Sequence, residues 1–284
     1  MSKILVFGEI IWDIFDDGAQ IGGAPFNLSA HLSNLGHDVQ MVSALGKDEL
    51  GENAKEHLKK WGVGEKYVAA VDHPTGYCKV TLDSDGHPSY MLASNVAYDN
   101  IPQTQPEEEY EALAFGSLAV REYNSYKALK ELLKRNYKTV FYDVNVRMPH
   151  FYPNIAKELM EYTTIVKISR EEALCLEMGS TDEETCLNIL AKYPKVEMVL
   201  LTCDKDGAIV YHRELGKIIS PKPKSKPLST VGAGDSFSAC YLANYLNGVD
   251  ATECLSRAVK LSDYVITVLG AVMELPEELK NSII

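Results

Sequence analysis

The stretch Ser229-Thr230-Val231-Gly232-Ala233-Gly234-Asp235-Ser236-Phe237 combines an anion cradle with a carboxylate at one point of the chain. Three small residues let the backbone turn sharply and bring its N–H groups close to a ligand. The helical pattern that follows adds unpaired N–H donors and the positive end of its dipole, a setting for a phosphate or a developing oxyanion. Asp235 falls in the first turn of that helix, where a carboxylate can take a proton or simply cap the helix. An isolated Gly-Ala-Gly-Asp reads first as a cap. The flanking residues and a second glycine-rich stretch far upstream, Gly22-Gly23-Ala24-Pro25-Phe26-Asn27, turn the reading toward chemistry.

The elements that must position these residues follow from periodicity. Ile4–Phe7 reads as a first strand ending at Gly8-Glu9, and the second glycine-rich stretch leads into a helix running to about Leu35, with Gly36 as its stop. Val39–Ser43 reads as a strand and Gly51–Trp61 as a helix. From Thr75 to Tyr98 the pattern changes to short alternating strands around the turn Asp83-Ser84-Asp85-Gly86, a hairpin too small to fold alone. From Ala112 onward apolar strands alternate with amphipathic helices, the strands being Ala112–Phe115, Thr139–Tyr142, Thr164–Ile168, Val196–Thr202 and Ala208–Tyr211. The segment Lys217 to Lys226 reads as an extended connector, and two long helices, Ala233–Asn247 and Ala251–Leu269, close the pattern. Such alternation implies an α/β fold with a mainly parallel sheet and helices on both faces.

Composition sets what partners are excluded. The 284 residues carry a net charge of −12 with 46% apolar and 24% charged residues, those of an ordinary globular protein that could form one large α/β domain or two small ones. That charge argues against nucleic acid and against an anionic membrane surface. No apolar run reaches membrane-spanning length, and Met-Ser-Lys runs straight into the first strand, so the expected location is cytoplasmic. Six cysteines without a Cys-x-x-Cys pair read as reduced thiols.

The chain resembles the ribokinase-like carbohydrate kinases of the PfkB family, and most of all their fructokinase branch. The resemblance runs end to end and rests on Gly8-Glu9-Ile10-Ile11-Trp12-Asp13, on Gly22 to Asn27, on Leu45-Gly46-Lys47-Asp48-Glu49-Leu50-Gly51, on Tyr142-Asp143-Val144-Asn145-Val146-Arg147 and on Gly232-Ala233-Gly234-Asp235, in the family's order and spacing. It implies a single kinase domain over 1–284, a three-layer sandwich carrying a small β-hairpin lid over 72–100, which closes over the sugar and through which two copies can pair. It also implies ATP-dependent transfer of a phosphoryl group to a small hydroxylated substrate. On the matching positions, Asp235 would accept the proton of the sugar hydroxyl, while the backbone of Gly232, Ala233 and Gly234 would hold the charge on the transferring group. The physics of phosphoryl transfer agrees, since it needs positioning and charge stabilisation more than covalent chemistry.

The same resemblance implies sugar contacts from Asp13, Gly22, Gly23, Asn27 and Thr75. Arg147 would steady phosphate or pair with an acid. It places the nucleotide near Lys167, Thr202, Lys205, Gly207 and Gly234, and gives Glu172 a role toward Mg²⁺ through water. Locally, Ser169 and Glu172 fit a helix N-cap equally well. Three positions depart from the family pattern: Ser169 for an asparagine, Asp204 for a glycine, and Ser229 for an aspartate, which leaves dependence on K⁺ open. The expected substrate is an unphosphorylated sugar, best fructose. Between Val71 and Ile101 the chain has Lys79 as its sole Lys or Arg, where a sugar phosphate would want a cationic cluster. Another small acceptor (2-keto-3-deoxygluconate, ribose or a nucleoside) and a non-catalytic sugar-binding regulator are the alternatives.

Overall fold

The computed structural model describes residues 1–16, 18–82 and 88–284. In chain order it begins with β1 (Lys3–Phe7), β2 (Ile11–Phe15), β3 (Gly18–Gly22), α1 (Ala24–Asn34), β4 (Asp38–Gly46), α2 (Glu49–Lys60) and β5 (Gly64–Val71). There follow β6 (Gly76–Leu82), β7 (Pro88–Leu92), β8 (Ala112–Gly116), α3 (Tyr123–Leu132), β9 (Thr139–Asp143), α4 (Pro153–Leu159) and β10 (Ile165–Ser169). The last part holds α5 (Arg170–Cys175), α6 (Asp182–Lys192), β11 (Met198–Thr202), β12 (Ala208–His212), β13 (Gly216–Ile219), α7 (Ala233–Leu246) and α8 (Ala251–Val265).

Nine strands form the main sheet in the order β13-β12-β11-β10-β9-β8-β1-β4-β5, parallel from β11 to β5 and antiparallel at β12 and β13. Its central strands are apolar on both faces because both are covered. Leu5, Phe7, Leu113, Phe115, Val166 and Ile168 pack on the side of α3 to α6. The intervening Ile4, Val6, Ala112, Ala114 and Ile165 pack against α1, α2, α7 and α8. Period-two alternation between two buried layers is the signature of a doubly covered parallel sheet, and the chain has a ribokinase-like α/β fold.

Two strands of the main sheet, β5 and β13, depart from the sequence reading. Both lie on its edges and are half-exposed or exposed, so neither shows an apolar run, and β13 falls at the start of the segment expected to be a plain connector. The projecting hairpin differs more. Strands β6 and β7 belong to a second, four-stranded sheet of order β3-β2-β6-β7, half of which comes from residues 11–22. Strand β2 runs parallel to β6, with Asp13 beside Cys78, so Asp13 stands on this small sheet rather than in a loop after the first strand. The pair β2 and β3 is short and flanked by glycines, which hides it from a pattern search. The turn 83–86 lies outside the described residues.

Candidate active site

The carboxyl ends of β1, β9, β10 and β11 bring the sequence-predicted groups to one edge of the main sheet, where open α/β sheets bind ligands. The cradle sits above this edge. Gly232 is the N-cap of α7 with φ +80°, and a Cβ there would meet the backbone of Ala271 at 2.6 Å, so both conformation and space demand glycine. His31 on α1 fixes Ala271 from the other side, donating from Nε2 to its carbonyl at 2.8 Å. Three residues after Gly232, Asp235 is half-buried and accepts a 2.7 Å hydrogen bond at Oδ2 from Nδ2 of Asn27. Burial pushes its carboxyl up to about 6 against that bond; Asp143 adds to the rise, while Lys167 and Arg147 oppose it.

Beneath the cradle, Lys167 of β10 is 6% exposed, and its Nζ lies 3.4 Å from where a Cβ on Gly234 would be. It pairs with Asp143 at the end of β9, Nζ to Oδ1 being 3.1 Å. Ser238 of α7 donates to the other Asp143 oxygen at 2.8 Å. Burial works against the Lys167 ammonium, but Asp143, Glu172 and Asp235 outweigh it and raise its pKa, so a permanent positive charge lies directly under the glycines. Asp143 and Ser238 were not singled out in the sequence. For Asp143 the visible signal is an acid closing a fully buried, mainly apolar strand.

On the other side of Asp235, Gly23 is the N-cap of α1 at φ +105°, and a Cβ there would meet the carbonyl oxygen of Glu9 at 2.6 Å. A Cβ on Gly22 would touch Oδ2 of Asp13 at 3.4 Å, so the Gly22 backbone faces that carboxylate. Burial raises the Asp13 carboxyl, with Arg147 opposing. Arg147 is exposed, has no ion-pair partner among the described residues, and is felt by Glu9, Asp13 and Asp235 together. It stands in the loop after β9, and its charge opposes the rise of all three acids. A cavity of about 270 Å³ lies to one side, between Trp12, Phe26, Trp61 and Ala271, and none of these acids lines it.

Two expected ligand contacts have other partners. Thr75 is fully buried, its hydroxyl donating to Asp48 Oδ1 at 2.6 Å and accepting from the Gly46 N–H at 2.9 Å. Its own N–H goes to Asp48 Oδ2 at 2.8 Å. Both Thr75 donors, the hydroxyl and the N–H, are thus engaged by Asp48 in a clasp at the root of the small sheet, which leaves only acceptors for the sugar contact expected of it. Glu172 closes a capping box on α5, accepting from the Ser169 N–H at 2.7 Å, and its second oxygen accepts from the Val146 N–H at 2.9 Å. The N-cap alternative for Ser169 and Glu172 is the arrangement found, with one backbone N–H on each Glu172 oxygen. No group of three or more His, Cys, Asp or Glu among the described residues could hold a metal ion.

Around the expected nucleotide position, Thr202 ends β11 in register with Ser169. Lys205 is exposed and unpaired among the described residues, and Asp204 is exposed as well, at φ +48°. Gly207 takes φ +88°, and a Cβ there would meet Ser220 Oγ at 2.5 Å, so this glycine serves the tight turn between β11 and β12. No helix among the described residues is long and apolar enough to cross a membrane.

A parallel sheet covered on both faces, with a glycine cradle over a buried lysine and a carboxylate in the first turn of the following helix, defines the ribokinase-like class. The profile of the pfkB family of carbohydrate kinases matches residues 2–278, and the chain belongs to that family. Probable fructokinase-5 of Arabidopsis thaliana is 25% identical, over 85% of this chain and 82% of its own. The 2-dehydro-3-deoxygluconokinase of Haemophilus influenzae is 26% identical over 96% of both chains. Among solved structures, aminoimidazole riboside kinase from Salmonella enterica, complexed with aminoimidazole riboside and an ATP analog, superposes over 99% of both chains with a TM-score of 0.84 at 20% identity.

Proposed function

We propose that the chain is an ATP-dependent kinase that phosphorylates a hydroxyl of an unphosphorylated sugar, D-fructose to fructose 6-phosphate being the reaction favoured, with residues 1–284 working as one unit and the small sheet as its lid. The observation that carries this reading is Asp235, a carboxylate in the first turn of α7, hydrogen-bonded to Asn27 and flanked by the N–H groups of the cradle. In the reaction the sugar oxygen forms its bond to the γ-phosphorus as the bond from that phosphorus to the β-phosphate oxygen breaks. The hydroxyl proton passes to Asp235, and ADP leaves. A carboxylate whose pKa stands near 6 is ionised at neutral pH yet basic enough to take the proton as it becomes acidic. The Gly232–Gly234 backbone and the Lys167 ammonium beneath it offset charge on the transferring group.

ATP as donor is supported by the ATP analog in the aminoimidazole riboside kinase structure and by the exposed Lys205 beside Thr202. Each Glu172 oxygen already accepts one backbone N–H, and the role expected of it toward Mg²⁺ is through water. No step is assigned to Mg²⁺, which would be held by phosphate and water oxygens. The acceptor side is lined by Glu9, Asp13 and Asp235 against one guanidinium, a balance suited to a neutral polyol. The unpaired Arg147 favours a second reading, an acceptor bearing one carboxylate such as 2-keto-3-deoxygluconate.

The test is ADP release from ATP and Mg²⁺ with fructose, ribose, glucose, ketodeoxygluconate, adenosine and fructose 6-phosphate, with Asp235→Ala alongside. Fructose-dependent release lost in the variant supports the first reading, and ketodeoxygluconate-dependent release the second. Sugar binding without turnover across the panel would move the chain to the regulator class.

A further inference from the structure

Glu9 closes β1 at the edge where the site lies, and at 2% exposure it is one of the most deeply buried carboxyls in the chain. Its placement is enforced from three sides. A Cβ on Gly8 would meet the Pro25 ring at 2.3 Å, one on Gly23 would meet the Glu9 carbonyl oxygen at 2.6 Å, and the Ala24 N–H at the start of α1 favours its charge. No lysine or arginine pairs with it among the described residues, and its Oε2 has no hydrogen-bond partner among them. One oxygen of this desolvated carboxyl is thus left without a partner, which costs free energy unless something meets it.

Two other buried polar atoms nearby are in the same condition. Oδ1 of Asn27 lacks a partner although the same amide donates to Asp235. The hydroxyl of Tyr98, on a residue fully buried against Gly76 of the small sheet, lacks one as well. Packing makes the three neighbours: Gly23, where a Cβ would meet the Glu9 carbonyl at 2.6 Å, accepts the N–H of Asn27, and Tyr98 packs on Gly76, which pairs with Ile11 two residues after Glu9. They span the space between the cradle and the small sheet. Native interiors satisfy nearly all buried polar atoms, so three orphans converging on one place mark where a polar ligand belongs.

We infer that Glu9 is a binding residue for the acceptor substrate, its Oε2 taking one hydroxyl, with Asn27 Oδ1 and Tyr98 Oη as companions on neighbouring hydroxyls. The inference rests on the reading of this site as one for a hydroxylated acceptor, and it adds to that reading a polyol with at least three hydroxyls besides the one phosphorylated. Burial pushes the Glu9 carboxyl up to about 7, toward its protonated form. A hydroxyl both donates and accepts, so the contact forms in either state.

The experiment compares Glu9→Met, which keeps the volume and removes both oxygens, with Glu9→Gln, which keeps hydrogen bonding without charge. Glu9→Met should raise the fructose KM about 10- to 100-fold while the ATP KM is kept and the unfolding midpoint is no lower than the parent's, and Glu9→Gln should restore most of the loss. A series of monodeoxyfructoses adds a cycle: one analogue should bind poorly to the parent protein, yet suffer no further loss in Glu9→Met. A fructose KM within twofold of the parent in Glu9→Met, or an equal deoxy penalty in both proteins, overturns the inference while leaving the kinase reading intact. A parent protein that neither binds nor phosphorylates any sugar of the panel overturns both together.

Discussion

Two glycine- and aspartate-containing motifs look alike on paper and differ in the fold. In the stretch Leu45 to Gly51, Asp48 accepts from the N–H groups of Gly51 and Thr75 and from the Thr75 hydroxyl, which in turn accepts from Gly46. Glycines are required there because a Cβ on Gly46 or Gly51 would meet backbone at 2.5 or 2.3 Å. Every polar group of that knot is paired. Around Asp235 the opposite holds: Glu9 Oε2 and Asn27 Oδ1 are buried without partners, and carboxyls stand above their ordinary pKa values. A saturated polar cluster stabilises, whereas an unsaturated one is strained toward a ligand. The difference separates the structural motif from the working one where glycine and aspartate content does not.

The sharpest break between the two regions is Asp235→Asn. It should cost about 10²- to 10⁴-fold in kcat for the acceptor that turns over, with the fold kept, because an amide takes no proton. Near-parental kcat would remove Asp235 as the base and leave it as a helix cap. Next in size is the stability cost of the unsaturated region. The folded-state pKa of Glu9, about 7, stands above the 4.5 of an ordinary glutamate, so the folded protein holds the proton more tightly. Its contribution to stability is therefore full at low pH and is lost as pH rises from about 4.5 past 7, on the order of 3 kcal/mol by pH 8. Glu9→Gln should raise the urea midpoint at pH 8 and match the parent at pH 5. Equal midpoints at both would show that Glu9 is not desolvated.

The saturated clasp should respond the other way. Thr75→Val keeps the shape but leaves the Gly46 N–H without its acceptor and removes one of the two donors to Asp48 Oδ1, which should cost about 1–3 kcal/mol of stability. The fructose KM should stay within about threefold. A kept midpoint with a large rise in KM would return Thr75 to the ligand.

These contrasts also show what could be read from the chain alone. The layered fold was legible because β1, β8, β9, β10 and β11 are mainly apolar, and the cradle was legible because Gly232 and Asp235 adjoin a strong helix pattern. Strands β2, β3, β5 and β13 were not, since edge and ribbon strands bury too little to show a period. Thr75 and Glu172 sit in recognisable motifs, but a motif fixes residue types, and only coordinates show which hydrogen bonds those residues spend on backbone. Glu9 stood in plain sight beside Gly8; its unpaired oxygen is a property of three dimensions.

The finest test lies within the unsaturated region, at the bond from Asn27 to Asp235. The base must be ionised, so kcat/KM should fall as pH drops through about 6, two units above an ordinary aspartate, by about tenfold per unit below that point. The Asn27 donor favours the ionised form, and it is the leading influence holding the Asp235 pKa down against burial. Asn27→Ala should therefore move the acid limb to higher pH. Its loss of kcat/KM should be severalfold greater at pH 6 than at pH 8, where Asp235 is ionised in both proteins and only the missing sugar contact remains. A pH-independent loss would mean that Asn27 serves the sugar alone. A limb displaced toward lower pH would mean that its amide does not donate to Asp235 in solution.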